Sequence, residues 1–265
     1  GHAQREYFET ITKGDIATVR GLADKGVSFG PAIGADIELG RNVTPLQVAA
    51  AHGKIRIISL LLDKGANINA MAGDDTVYGA PDSTALHAAA YKGQTNAAEI
   101  LIQRGADIAA TNGWGLTPVQ VVLKQSPYPS REDMAEFLIS RGATVDVFTA
   151  ACMSNTTRLA DILSKDPSQA KARTPSGRTP LHFAAMCLCK ESIDLLLAKE
   201  ADVNAEDKNG NTPLQFALGF NLDVGQPVRS ASNGNGLAVP FANDKAIRTL
   251  VQKLLEKGAK ADLKE

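Results

Sequence analysis

Apolar residues recur along this chain in pairs of helical blocks. The first block of each pair is short and small-sided: Leu181, Phe183, Ala184 and Ala185 in one copy, Leu46, Val48 and Ala49 in another. The second is apolar on one face, as in Ile57, Ile58, Leu60, Leu61 and Leu62, or Ile193, Leu195, Leu196 and Leu197. Further second blocks are Ala98, Ile100 and Leu101, then Met134, Phe137 and Leu138, then Leu250, Leu254 and Leu255. A stop follows, such as Gly65-Ala66-Asn67, Gly105-Ala106-Asp107 or Glu200-Ala201-Asp202. Thr179 suits the residue before a helix, where its hydroxyl accepts a free backbone N–H, and Pro180 suits the first helical position, where a missing N–H costs nothing. The Ala184-Ala185 pair lets two helices approach closely, and Gly or Asn after the second helix permits a left-handed stop. A pair this small cannot bury its apolar faces alone, so the pattern predicts pairs stacked into a solenoid.

The pairs keep a fixed period. Thr179-Pro180-Leu181-His182-Phe183-Ala184 is followed 33 residues later by Thr212-Pro213-Leu214-Gln215-Phe216-Ala217. Thr84-Ala85-Leu86-His87 and Thr117-Pro118-Val119-Gln120 are also 33 residues apart, and Thr44-Pro45-Leu46-Gln47 opens another copy. This signature at this period resembles the ankyrin repeat family. The resemblance covers nearly the whole chain. It implies an all-α ankyrin-repeat solenoid of helix-turn-helix units with finger loops, in a single domain over residues 3–265. About seven repeats are expected, near 5–37, 38–77, 78–110, 111–144, 145–172, 173–205 and 206–263.

Repeats one and five are degenerate: Arg5-Glu6-Tyr7-Phe8 and Val145-Asp146-Val147-Phe148 stand where the signature belongs. Repeat six carries Leu188 where Gly is usual. The fingers before Thr44 and before Thr84 are long, the second holding Asp74, Asp75 and Tyr78, and residues 221–243 form a Gly-, Ser- and Asn-rich insertion.

Composition narrows the function classes. The net charge of −1 gives no general attraction to nucleic acid, and no apolar run is long enough to span a membrane. Nucleic acid is therefore not an expected partner, and a monomer is expected. Gly1-His2 reads as a tag remnant, which leaves a cytoplasmic and an exported protein both open. Enzymatic motifs are absent: there is no GxSxG, P-loop, HExxH or GxGxxG opening a helix. The expectation is a non-enzymatic protein without cofactor or metal. His87 and His182 fall at the fourth signature position, where the family's histidine braces the finger backbone. Cys187 and Cys189, two apart, are not a usual metal spacing. Cys152 and Cys187, in neighbouring repeats, have an approach to one another open to them, but a packed or idle thiol is the expectation.

The resemblance implies a protein or peptide partner held on the concave groove and the finger tips. Counting the signature Thr as one, positions five, eight and nine are expected in the groove. These supply Val48, Ala51 and His52 in repeat two, Tyr91 and Lys92 in three, and Lys124 in four. They supply Cys152 and Met153 in five, Phe183 and Met186 in six, and Phe216 and Phe220 in seven. The expected contact residues are thus Trp114, Tyr78, Tyr91, Lys92, Lys124, Met153, Phe183, Met186, Phe216 and Phe220. The first half is basic and aromatic beside the acidic Asp74-Asp75 loop, which suits a charged peptide. The second half is apolar. It is either an open docking site or covered by the 221–243 insertion; a pocket under that insertion would make a small-molecule or enzyme-regulating role the alternative function. Trp114, the sole tryptophan, lies at a finger tip, either as a binding anchor or packed sideways on the neighbouring finger.

Overall fold

The computed structural model describes residues 2–28, 42–73, 81–124, 129–218 and 245–260. Among these, every regular element is a helix apart from one isolated antiparallel bridge, between Ala72 and Ser83. The predicted all-α stack of helix pairs is the architecture observed. Two compact units make up the chain, Gly1–Thr144 and Val145–Glu265.

The first unit holds four pairs: α1 (His2–Lys13) with α2 (Ile16–Asp24), α3 (Pro45–Ala51) with α4 (Ile55–Asp63), α5 (Ala85–Tyr91) with α6 (Thr95–Gln103), and α7 (Pro118–Lys124) with α8 (Pro129–Ser140). The first helix of each pair packs on the first helices of its neighbours and on its own second helix, so it is enclosed on several sides. This explains its small residues: α3 is buried at all seven positions, Pro45 to Ala51. The second helices face outward on one side, and ion pairs link them in sequence. Lys64 reaches Asp24 at 2.6 Å, Arg104 reaches Asp63 at 2.6 Å, and Arg141 reaches Glu99 at 2.7 Å. Exposed pairs of this kind contribute little energy but register one repeat on the next.

The second unit holds α9 (Val147–Ala151) with α10 (Thr157–Lys165), α11 (Pro180–Met186) with α12 (Lys190–Ala198), and α13 (Pro213–Ala217) with α14 (Lys245–Glu256). Repeat five begins one residue later than its alignment on Val145 implies. Asp146 is the residue before α9, its carboxylate accepting from the Thr149 N–H at 2.7 Å, so an aspartate does the work of the signature threonine. The turn after α11 places Leu188 at φ +56°, where Gly53 and Gly93 have φ +62° and +68°. A side chain in this left-handed region costs on the order of 1 kcal/mol, which the surrounding packing must offset.

A disulfide joins Cys152 to Cys187 across 5.3 Å between Cα atoms, correcting the expectation of packed or idle thiols. The reason is geometric. Cys152 is the C-cap of α9 and Cys187 the C-cap of α11, so the two packed helices present their cysteines side by side. Closing a loop of this length stabilises by about 3–4 kcal/mol in the chain-entropy account.

Repeats are joined by one recurring device. Thr84 N–H donates to His87 Nδ1 at 3.2 Å, and His87 Nε2 lies 2.9 Å from the Leu116 carbonyl of the next finger. Thr179, His182 and Asn211 repeat the arrangement at 3.0 and 2.9 Å. With Nδ1 accepting, the ring proton is on Nε2, which donates to the finger carbonyl. Gln47 does the same with an amide: Oε1 accepts from Thr44 N–H, and Nε2 donates to the Ala72 and Ser83 carbonyls at 2.9 and 2.6 Å. The bracing role the resemblance implied for His87 and His182 is the one observed.

Burial pushes both imidazoles down to about 4, since a charged ring would lose water and would need a second proton on the occupied Nδ1. An unfolded histidine titrates near 6.5, so the folded value is depressed. The stabilisation is complete above pH ~6.5 and is lost as pH falls through about 4. Urea midpoints should therefore fall over this window, each histidine adding up to about 1.4 kcal/mol per pH unit. His87→Gln with His182→Gln keeps the brace in the form Gln47 uses and should flatten the profile. Equal slopes in the wild type and the double variant would contradict this account.

Candidate functional site

Burial of the first helices decides which residues reach solvent. In the first unit the fifth position is core: Val48 is fully buried and Ala88 nearly so. Ala51, at position eight, is buried too. The reachable positions are the ends of the first helices and the turns after them. Lys13 is exposed, and His52, Tyr91, Lys92 and Lys124 are half-buried. One basic or ionisable side chain thus stands at the same end of each of four successive first helices. A cation there also suits the partial negative charge of the helix C-terminus. Lys13 lies 3.8 Å from Glu9, and Lys92 Nζ sits 5.9 Å from the centre of the Tyr91 ring.

Trp114 is held at the tip of its finger by backbone. Asn112 Oδ1 accepts from the N–H groups of Trp114 and Leu116 at 3.1 and 3.0 Å, which folds the tip into a turn. Gly113 N–H donates to the Pro81 carbonyl of the preceding finger at 2.7 Å. A side chain at 113 would meet that carbonyl at 2.9 Å, so the close approach requires glycine. The indole is half-buried, and Lys124 Nζ lies 3.9 Å from its ring centre. This cation–π contact draws α7 and the finger tip into one patch, at roughly 0.5–1 kcal/mol. Trp114 and Lys124, separate in the sequence reading, are therefore one feature. Tyr78 lies outside the described residues.

In the second unit the expected groove residues are interior. Phe183 and Phe216 are 2% and 4% exposed, Met153 7% and Met186 9%. The physical reason is the stack. Phe183 packs on Phe148 of the preceding repeat with ring centres 5.4 Å apart. Phe216 meets the His182 ring edge-on at 5.0 Å and lies 5.4 Å under the Arg178 guanidinium. Arg178 is itself buried and 3.7 Å from the buried Asp207 carboxylate, which also accepts the N–H groups of Asn209 and Asn211. Phe183 and Phe216, at position five, thus pack one repeat against the next. Phe220 and the 221–243 stretch lie outside the described residues. Sequence reasoning missed the Asp146 cap, the Cys152–Cys187 bond and the buried Arg178–Asp207 pair; the carboxylate of Asp146 three residues before Thr149 was the available signal for the first.

Among the described residues no three His, Cys, Asp or Glu side chains are grouped to hold a metal ion. No described helix is long and apolar enough to cross a membrane.

Comparison with known proteins agrees with this geometry. A family model described as "Ankyrin repeats (3 copies)" matches residues 10–112 and 147–226, and one described as "Ankyrin repeats (many copies)" matches 86–139. The chain is similar to "Ankyrin repeat and SAM domain-containing protein 6" of Danio rerio, 29% identical over 171 residues, 62% of this chain and 22% of that protein. It is similar to "Palmitoyltransferase AKR1" of Lachancea kluyveri, 25% identical over 211 residues, 80% of this chain and 24% of that protein. "B-cell lymphoma 3 protein" of Homo sapiens is 25% identical over 235 residues, 83% of this chain and 44% of that protein. The chain spans less than half the length of each of these relatives.

Because Trp114 is the sole tryptophan, its fluorescence reports the patch directly. Removing the ammonium in Lys124→Met should leave the helical circular dichroism unchanged and increase quenching of Trp114 by acrylamide. Unchanged quenching would show that the contact does not shield the ring in solution.

Proposed function

This chain belongs to the ankyrin repeat family, and from that premise we propose that it is a non-enzymatic module that binds an acidic protein or peptide segment along the first unit. Repeats of this family are in general protein–protein interaction modules. The observation that carries the finer reading is the row of basic side chains at matching ends of successive helices: Lys13, His52, Lys92 and Lys124. Tyr91 and the Trp114 tip lie beside it and supply flat apolar area, the kind of group that dominates binding energy at interfaces. The row is on rigid, buried helices, so a partner would meet it with little rearrangement. The activity named in the palmitoyltransferase relative is that protein's and is not carried over, since this chain matches 24% of its length.

The interior placement of Phe183 and Phe216 makes the second unit's apolar row a stabilising seam. Partner contact is accordingly assigned to the polar row of the first unit rather than to an apolar groove in the second. The interaction is expected to be electrostatically steered, with a strong dependence on salt.

Fluorescein-labelled poly-glutamate of ten residues is the first probe. Anisotropy should show binding that weakens about tenfold, ~1.4 kcal/mol, in Lys92→Glu with Lys124→Glu. It should also weaken as ionic strength rises from low salt. Equal binding of poly-lysine, or no effect of the double variant while its circular dichroism stays native, would reject the acidic-partner reading. Since each lysine also serves its own helix end, melting of the variants is measured in parallel.

A further inference from the structure

The chain has three cysteines, and all three meet at one place in the second unit. Cys152 and Cys187 are bonded to each other as the C-caps of α9 and α11. Cys189, two residues beyond Cys187, is a buried thiol and the N-cap of α12. Its S–H is directed at residue 152: Cys189 Sγ donates to the Cys152 carbonyl at 3.2 Å, and it lies 3.6 Å from the Cys187 carbonyl. Between Cys187 and Cys189 stands Leu188 in the left-handed conformation, at a turn that is glycine at Gly14, Gly53 and Gly93. The helix pairing of the protein does not require any of this sulfur chemistry, since the first unit builds the same turn with His52 and Lys92 as the C-caps. Metal binding does not explain the cluster either, because the three sulfurs are not among any group arranged to hold an ion.

We propose that Cys152, Cys187 and Cys189 form an intramolecular thiol–disulfide exchange site in which Cys152 bonds alternately to the two others. In the step itself Cys189 gives up its proton and its thiolate attacks Cys152 Sγ. The Cys152–Cys187 bond breaks, its electron pair leaves on Cys187 Sγ, and that sulfur takes a proton. One disulfide and one thiol stand on each side, so no oxidant or reductant is consumed. All three residues are less than a tenth exposed, which favours the resident thiol over any external one: it is already held against the backbone of residue 152, while an outside thiol must enter. The exchange moves the crosslink across Leu188. Bonded to Cys187, Cys152 ties α9 to the end of α11; bonded to Cys189, it ties α9 to the start of α12. The turn of repeat six therefore has two covalently fixed settings, and a small dithiol that reduces either bond supplies a third, untied one.

The test is disulfide mapping of the full chain. Protein equilibrated in mixtures of oxidised and reduced dithiothreitol is quenched in acid, unfolded, labelled with a maleimide and cleaved, and the label is located by fragmentation of the peptide holding Cys187 and Cys189. Singly crosslinked wild type should contain one population labelled at Cys189 and another labelled at Cys187. In Cys187→Ser the same mixtures should drive Cys152 and Cys189 together, with loss of both labels. Label confined to Cys189 at every ratio in the wild type overturns the proposal. So does a natively folded Cys187→Ser that keeps both thiols under conditions that fully crosslink Cys189→Ser. Should Cys187→Ser not fold, the wild-type map decides alone.

Discussion

A neutral side chain at the fourth position of the repeat holds a joint by both ends. One end accepts the backbone N–H of the residue that starts its own helix, and the other donates to the carbonyl of the next finger. His87 and His182 do this with an imidazole, Gln47 with an amide. Both partners are main-chain groups that would otherwise be buried without a bond, at a cost of about 1–3 kcal/mol each. The joint therefore couples the start of one repeat to the finger of the next, and a repeat cannot loosen without exposing its neighbour's backbone. It also dictates charge: an imidazolium has no lone pair for the N–H at its Nδ1, so the ring must remain neutral.

That joint fixes what each repeat can show to solvent. Once the finger is held against the start of the first helix, the helix is enclosed by its neighbours and by its own partner. Small residues are needed along its whole length, as α3 illustrates. Only its far end and the following turn stay accessible, which is why His52, Lys92 and Lys124 are reachable and Val48 and Ala88 are not. Trp114 reaches the same region by another route, through a finger tip pinned by Gly113 to Pro81.

The repeat, its period, the bracing histidines and the all-helical stack were legible because their chemistry is local. Thr179 and His182 are three residues apart, and a cap of that kind depends on little else. The site was less legible, because exposure is a property of the stack. Phe183 and Phe216 look like a groove when counted along one helix, yet Phe148, His182 and Arg178 cover them from adjoining repeats. Cys152 was harder still. Its approach to Cys187 follows from where the short α9 ends, and the degenerate opening of repeat five obscures that end until Asp146 is seen as its cap.

The two units solve one problem with different chemistry. At the end of a first helix the last carbonyls are left without intrahelical partners and carry partial negative charge. In the first unit cationic or ionisable groups stand there: Lys13, which is exposed, and His52, Lys92 and Lys124, which are half-buried. In the second unit the corresponding C-caps are Cys152, Cys187 and Leu218, and the first two are buried and bonded to each other. A closed end has no use for charge, which would be costly to desolvate. There the covalent bond ties the end of α9 to the end of α11, and Leu188 follows directly in the left-handed conformation. Reachable basic side chains and covalent closure are thus alternatives at one structural position, and the first helices of the two units differ in this way.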